Sequence, residues 1–332
     1  MAEYKGVTVY CEVAGGKLAQ IATEGLGIGR KLADALGQEL PAVLVGSGVS
    51  SLAQEAITFG ADTAYVVDDT LLKDYQTDAY VAVMEKVVKQ AMPQVLIMGQ
   101  TDIGRDLAPR LSFRLGTAVA LDCLELAIDP TSKRLLQTKP VYGGNAQAVF
   151  TSETDPQMVT IRTKAMAALE PNTSRQGKVI KVDAGLAASA IRTKVLNKVV
   201  EEVKGVKLQD AAVVVAGGRG IGSAEGFKQL EELAKLFKGA VGASRPPCDN
   251  GWVPDTIQIG LTGKIIAPDV YFAVAISGSS QHMSGCSGSK NIIAINKDPE
   301  ANIFREARFG VVGDWKKVLP ALTAKVKEML AA

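Results

Sequence analysis

The residues with chemical capability gather in the second half of the chain, each group directly after an apolar strand. The run AGGRGIGS (216–223) places glycines at 217, 218, 220 and 222 between a strand and a helix. Free main-chain N–H groups at a helix start, helped by the helix dipole, favour an anion such as phosphate. The spacing misses G-x-G-x-x-G because Ser223 stands at the third glycine position, and the next strand ends in Ser244 and Arg245 rather than an acid. An ordinary NAD fingerprint is therefore disfavoured, leaving a phosphate cradle or a plain tight turn. In GASRPP (242–247), Arg245 precedes two stiff prolines and reads as a ligand-facing cation or a solvated loop arginine. QIGLTGK (258–264) offers the Thr262 hydroxyl between two glycines, and Lys264 as a point charge; a hairpin turn is the plainer account.

The fourth group, SGSSQHMSG (277–285), holds the only histidine of the chain. Ser277, Gly278, Ser279 and Ser280 make a second polar cradle, followed within a turn by Gln281 and His282. His282 and Cys286 stand at i, i+4, but two ligands do not make a metal site. No nucleophile with an orienting carboxylate is legible around the imidazole. A structural histidine is the alternative. Asn296 and Asp314–Trp315 close two further strands, either as helix caps or as contacts to a ribose or adenine. Ligands of open α/β sheets bind beyond the carboxyl ends of the strands. Five such ends carrying two glycine/serine loops, a cation, a histidine and polar caps suit an extended dinucleotide, FAD better than NAD.

These loops need a parallel sheet to align them, and the chain supplies the rhythm for one. In the first half, strands at 7–13, 41–46, 63–69 and 94–100 alternate with helices at 29–40, 51–59, 78–91 and 104–115. Alternation of this kind gives a mostly parallel sheet with helices on both faces. Four strand-like stretches between 121 and 166 are expected as antiparallel additions to an edge. Their apolar residues Leu124, Leu126, Ile128, Val141 and Val149 are candidates for facing another subunit. The βα rhythm restarts at 211–216 and closes with a helix at 316–330; SRPPCDNGW (244–252) reads as an irregular loop. The fold expected is α/β with two Rossmann-like domains, 1–200 and 206–332, and a boundary within 185–208.

Composition narrows the classes further. The chain has 332 residues, 47% hydrophobic and 22% charged, as in globular proteins. A net charge of +2 and an aromatic share of 5% give neither the field nor the stacking surface that nucleic acid requires. No apolar run reaches the roughly 20 residues that span a bilayer. The four cysteines form no CxxC pair, which fits a reducing compartment, cytoplasm or mitochondrial matrix, with no metal framework.

The run GGRGIGS…VGASRPPCDNGWVPDTIQIGLTGKIIAPDVYFAVAISGSSQHMSG…IIAINKDPEANIF…FGVVGD closely resembles the signature of the electron-transfer flavoprotein alpha subunit. IGRDLAPRLSFRLGTAVALD (103–122) is similar to the N-terminal motif of that family. The resemblance implies FAD on the C-terminal domain and a beta-subunit partner to the N-terminal domain, itself holding AMP or a second FAD. It implies FAD contacts from Arg219, Ser244, Ile259, Gly260, Leu261, Thr262, Ser277, Gly278, Ser279, Ser280, Gln281, His282, Asn296, Asp314 and Trp315. Arg245 would lie near the isoalloxazine, Thr262 near flavin N5, and His282 would donate at N1/O2. Leu261 replaces a common Gln, and Ser279–Ser280 a usual Ala–Ile. The function implied is an electron carrier of fatty acid beta-oxidation, with no residue catalysing acid–base chemistry. Electrons would pass from flavin dehydrogenases, such as acyl-CoA dehydrogenases, to a quinone reductase or another acceptor. The alternatives are an electron-bifurcating version oxidising NADH, an NADP-binding oxidoreductase using Arg245, and a silent nucleotide-binding scaffold.

Overall fold

The computed structural model describes residues 4–144, 146–193, 195–197 and 206–331. The chain divides into two compact units, Met1–Pro140 with Gln147–Val199, and Val200–Ala332 with Val141–Ala146. Of the expected boundary, residues 194 and 198–205 lie outside the described residues.

The first unit begins with strand β1 (Val7–Tyr10), a small hairpin of β2 (Val13–Ala14) and β3 (Lys17–Leu18), and helix α1 (Gln20–Leu36). There follow β4 (Pro41–Gly46), α2 (Ala53–Thr58), β5 (Thr63–Asp68), α3 (Thr77–Ala91), β6 (Val95–Gly99) and α4 (Asp102–Leu115). Next come β7 (Val119–Cys123), β8 (Glu125–Ile128), β9 (Leu135–Val141), β10 (Ala146–Phe150), β11 (Gln157–Ile161) and β12 (Lys178–Lys181). The main sheet has the order β12-β5-β4-β1-β6-β11-β7. Its central strands are buried throughout because both faces are covered. Alternate residues go to opposite sides: Ala42, Leu44, Val95 and Ile97 join α1, while Val43, Val45, Leu96 and Met98 join α3 and α4.

Two details differ from expectation. Helix α1 starts at Gln20 rather than at residue 29. Of the late strands, only β8, β9 and β10 form a separate sheet, in which β8 and β9 are antiparallel. Strands β7 and β11 enter the main sheet in parallel, β11 filling the slot between β6 and β7. Every residue of β11 is buried, which an edge addition would not allow.

The second unit runs β13 (Val213–Gly217), α5 (Ala224–Leu236), β14 (Ala240–Ala243), α6 (Arg245–Asp249), β15 (Val270–Val274) and α7 (Ser280–Met283). It closes with β16 (Asn291–Asn296), α8 (Ile303–Glu306), β17 (Phe309–Val312) and α9 (Trp315–Ala331). The segment expected as an irregular loop therefore opens with a helical turn. Pro246 and Pro247 sit in its first positions, where no N–H is needed. The sheet order is β14-β13-β15-β16-β17, every pair parallel. Phe227, Leu230, Leu233 and Leu319 of α5 and α9 cover one face; Ile259, Met283, Cys286 and Ile303 cover the other. Among the described residues, no helix is long and apolar enough to cross a membrane.

Candidate functional site

Strand order fixes where a ligand can lie. In the order just given, the chain leaves β13 for β14 on one side and returns to β15 on the other, so loops diverge above the β13/β15 pair. Register brings the strand ends to one level: Gly217 faces both Ala243 and Val274, and Asn296 faces Val312. Each candidate residue follows one of these ends except the 259–262 turn, which is held against the end of β14 by Ile259.

Hydrogen bonds tie the loops to one another. Gly218 N–H donates to Val274 O at 2.9 Å, and Ser244 N–H to Gly217 O at 3.0 Å. Ile259 N–H donates to Ala243 O and Leu261 N–H to Gln281 O, both at 2.8 Å, pinning the 259–262 turn at both flanks. Ile303 N–H reaches Ser277 O at 3.0 Å, while Asn296 Nδ2 holds Ile276 O at 2.9 Å. Trp315 Nε1 donates to Gly220 O at 3.0 Å, joining the last helix to the glycine loop. Gly278 is required where it stands. Its φ is +81°, and a Cβ there would fall 2.3 Å from Ile303 N.

The side chains divide by role. Arg219 is exposed and, among the described residues, makes no ion pair; the same holds for the half-buried Lys264. Arg245 pairs with Asp249 one turn on, Nε to Oδ2 3.2 Å, with its side chain 66% exposed. It is thus a cation shared with a carboxylate. Ser244 is buried, whereas Ser277, Ser279 and Gln281 are exposed. Thr262 accepts from Gln258 Nε2 at 3.0 Å. Leu261 turns its side chain to solvent, so the position of the usual Gln keeps only its main-chain bond. Asp314 accepts from Lys316 N–H at 3.0 Å as a cap of α9.

His282 is buried and has a partner at each ring nitrogen. Its ring is 5% exposed, with Nδ1 3.1 Å from Ile259 O and Nε2 2.8 Å from Tyr271 OH. Burial pushes its pKa down to about 4, so the ring is neutral at physiological pH. Since a carbonyl only accepts, the single N–H of the neutral ring belongs to Nδ1 and is spent on Ile259. Sequence reasoning missed Tyr271, which the apolar run VYFAV disguises as one more core residue.

A flavin dinucleotide fits this edge. At the start of α5, a cavity of about 350 Å³ is lined by residues that include Gly222, Ser223, Gly226, Trp315 and Lys316. Gly222 has φ +90° and open space where a Cβ would project. A glycine loop leading into a helix N-terminus, two unpaired cations and several hydroxyls supply what a pyrophosphate demands.

Fold and site thus define a dinucleotide-binding α/β protein of the parallel, doubly wound kind. A family model described as "Electron transfer flavoprotein domain" matches residues 7–187, and one described as "Electron transfer flavoprotein FAD-binding domain" matches 207–287. The electron transfer flavoprotein subunit alpha of Thermoanaerobacterium thermosaccharolyticum is 44% identical over 330 residues, covering 99% of this chain and 100% of that one. Its Megasphaera elsdenii counterpart is 44% identical over 331 residues, covering 99% and 98%. Protein FixB of Azotobacter vinelandii is 38% identical over 334 residues, covering 99% and 92%. The chain belongs to the electron transfer flavoprotein alpha-subunit family, and its cofactor is FAD.

Proposed function

We propose that the chain is the FAD-carrying half of a heterodimeric electron shuttle, completed by a beta subunit that holds AMP or a second FAD. Electrons enter from flavin dehydrogenases, acyl-CoA dehydrogenases among them, and leave to a quinone reductase or another redox acceptor. The observation carrying this reading is that the segment matched to an FAD-binding domain supplies the loops that converge above the β13/β15 pair. FAD supplies the redox chemistry; the protein binds it, orients it and sets its electrostatics.

In this reading Arg219, Gly222 and Ser223 take the pyrophosphate, and Asn296, Asp314 and Trp315 the adenosine side. Ser244, Arg245, the 259–262 turn and the 277–282 loop frame the isoalloxazine. Arg245 stabilises negative charge that reduction places on the ring. The four cysteines are buried as free thiols, as suits a reducing cytoplasm or matrix.

Co-purification with the beta subunit tests the reading. A yellow complex with FAD on this chain, reduced by an acyl-CoA dehydrogenase charged with its substrate, is expected. A colourless complex that retains NADP would overturn it. Adding NADH alone to the yellow complex separates simple transfer from bifurcation, which alone reduces flavin under those conditions.

A further inference from the structure

Ala275, the first residue beyond β15, stands in the left-handed region at φ +54°. The Cβ of an L-residue makes that conformation costly, and alanine lacks the polar side chain with which Asn or Asp offsets it. Glycine would adopt it freely. Strain of this kind persists only where the neighbours over-determine the backbone, and it gathers at ligand sites. Here those neighbours are explicit. Ala275 N–H donates to Ile295 O at 2.8 Å, and Val274 O accepts from Gly218 N–H at 2.9 Å. Asn296 Nδ2 then holds Ile276 O at 2.9 Å.

The strained residue meets both cradles of the site. It turns the chain out of β15 into the 277–280 loop, and it abuts the glycine loop. A Cβ on Gly218 would fall 2.1 Å from Ala275 O, and one on Gly220 would stand 2.9 Å from the Ala275 methyl. Gly220 O also accepts from Trp315 Nε1 at 3.0 Å. Gly220 thus has two fixed neighbours, a methyl at its Cα and an indole at its carbonyl. A glycine at 275 would make the same turn without strain. What alanine adds is the methyl against Gly220.

Resting on the flavin reading above, we infer that Ala275 is a positioning residue for FAD: its methyl braces the 218–222 loop at Gly220, so the loop meets the cofactor already in its bound shape. A loop shaped in advance loses less freedom on binding. The strained alanine exchanges stability of the fold for order at the site.

The test uses the complex of this chain with its beta subunit, stripped of FAD and reconstituted. Ala275→Gly removes the strain and the brace together, so stability and affinity should move apart. The FAD-free complex should melt no lower than wild type, because the relaxed turn offsets the extra freedom glycine gives the unfolded chain. FAD should nevertheless bind about fivefold more weakly, since the loop must then be ordered on binding. A purely structural alanine gives the reverse, a lower melting temperature with unchanged affinity. Gly220 lies outside the left-handed region, so Gly220→Ala meets chiefly the Ala275 methyl and should weaken FAD binding by crowding it. Joined to Ala275→Gly, it returns a methyl to the gap from the other side. The double variant should then bind FAD within about twofold of wild type, a coupling that only residues in contact show. Unchanged affinity in Ala275→Gly, a melting temperature that falls with the affinity, or losses that multiply in the double variant would each overturn the role. A wild-type complex that takes up no FAD would instead defeat the flavin reading, and this inference with it.

Discussion

Glu12 stands at the carboxyl end of β1, in the middle of the N-terminal sheet, and is 8% exposed. Burial raises its pKa from 4.5 to about 7, against the lowering pull of the Thr101 hydroxyl, which donates to Glu12 Oε1 at 2.6 Å, and with a small push from Asp102. The folded chain therefore keeps a proton between those values that the unfolded chain has released. The stability this gives is complete below the unfolded pKa and lost as pH rises through the folded one. The loss has a ceiling on the order of 3 kcal/mol. Glu12→Gln cannot ionise, so its melting temperature should match wild type near pH 4.5 and exceed it at pH 8. An equal margin at both pH values would contradict the raised pKa. Arg245 gives the opposite case, an exposed cation paired one turn away with Asp249. Such pairs contribute about 0–1 kcal/mol, so Arg245→Ala should barely move the melting temperature. The flavin potential should nevertheless fall, with Lys restoring only part of it. An unchanged potential in a redox titration would remove Arg245 from the site.

Elements decide which loop glycines can be replaced. Gly278→Ala drives a Cβ into the backbone of Ile303, between the 277–280 loop and α8, so neither element can keep its place. Gly222→Ala meets only the left-handed conformation, with open space around it, at a cost of about 1–2 kcal/mol. The first variant should lose FAD on gel filtration and melt far lower; the second should melt only modestly lower, with FAD weakened only by a Cβ that enters the pyrophosphate space. Equal falls in melting temperature would mean that the α8 approach does not shape the cradle. The same close approaches explain what the sequence concealed. Gly25, Gly27 and Gly29 look like helix breakers and delay the expected start of α1. In the fold Gly27 lets the helix pass the backbone of Ala167, whose carbonyl a Cβ would meet at 2.1 Å. The parallel entry of β11 was hidden for another reason: an apolar run carries no sign of strand direction, which only the crossover geometry settles. Strand ends were legible because apolar runs stop abruptly at Gly217, Ser244, Ile276 and Asn296. The partners of His282 were not, since Tyr271 and Ile259 read as core and turn. Of the residues expected to face a partner, Leu126 instead packs into the core at 6% exposed, whereas Val149 is 61% exposed beside Phe150 at 45%.

At the scale of the molecule, the two units have separate interiors. The clusters of the first are built from residues between Val7 and Ala184, those of the second from residues between Leu208 and Leu319, with none shared. Each sheet has its own helices on both faces, so each unit holds what it needs for a cooperative transition of its own. The residues matched to an FAD-binding domain, 207–287, lie in the second unit. A ligand that binds only the folded form stabilises that form by mass action, about 2.7 kcal/mol at free ligand a hundredfold above Kd. Scanning calorimetry of the purified complex, with and without excess FAD, should therefore show one transition of this chain rising with FAD and another staying fixed. The substitutions already described assign them. Glu12→Gln, in the first unit, should shift only the fixed transition, and only above neutral pH. Gly222→Ala, in the second, should lower only the FAD-responsive one. A single transition that rises as a whole with FAD, and responds to both substitutions, would mean that the units unfold together despite their separate cores.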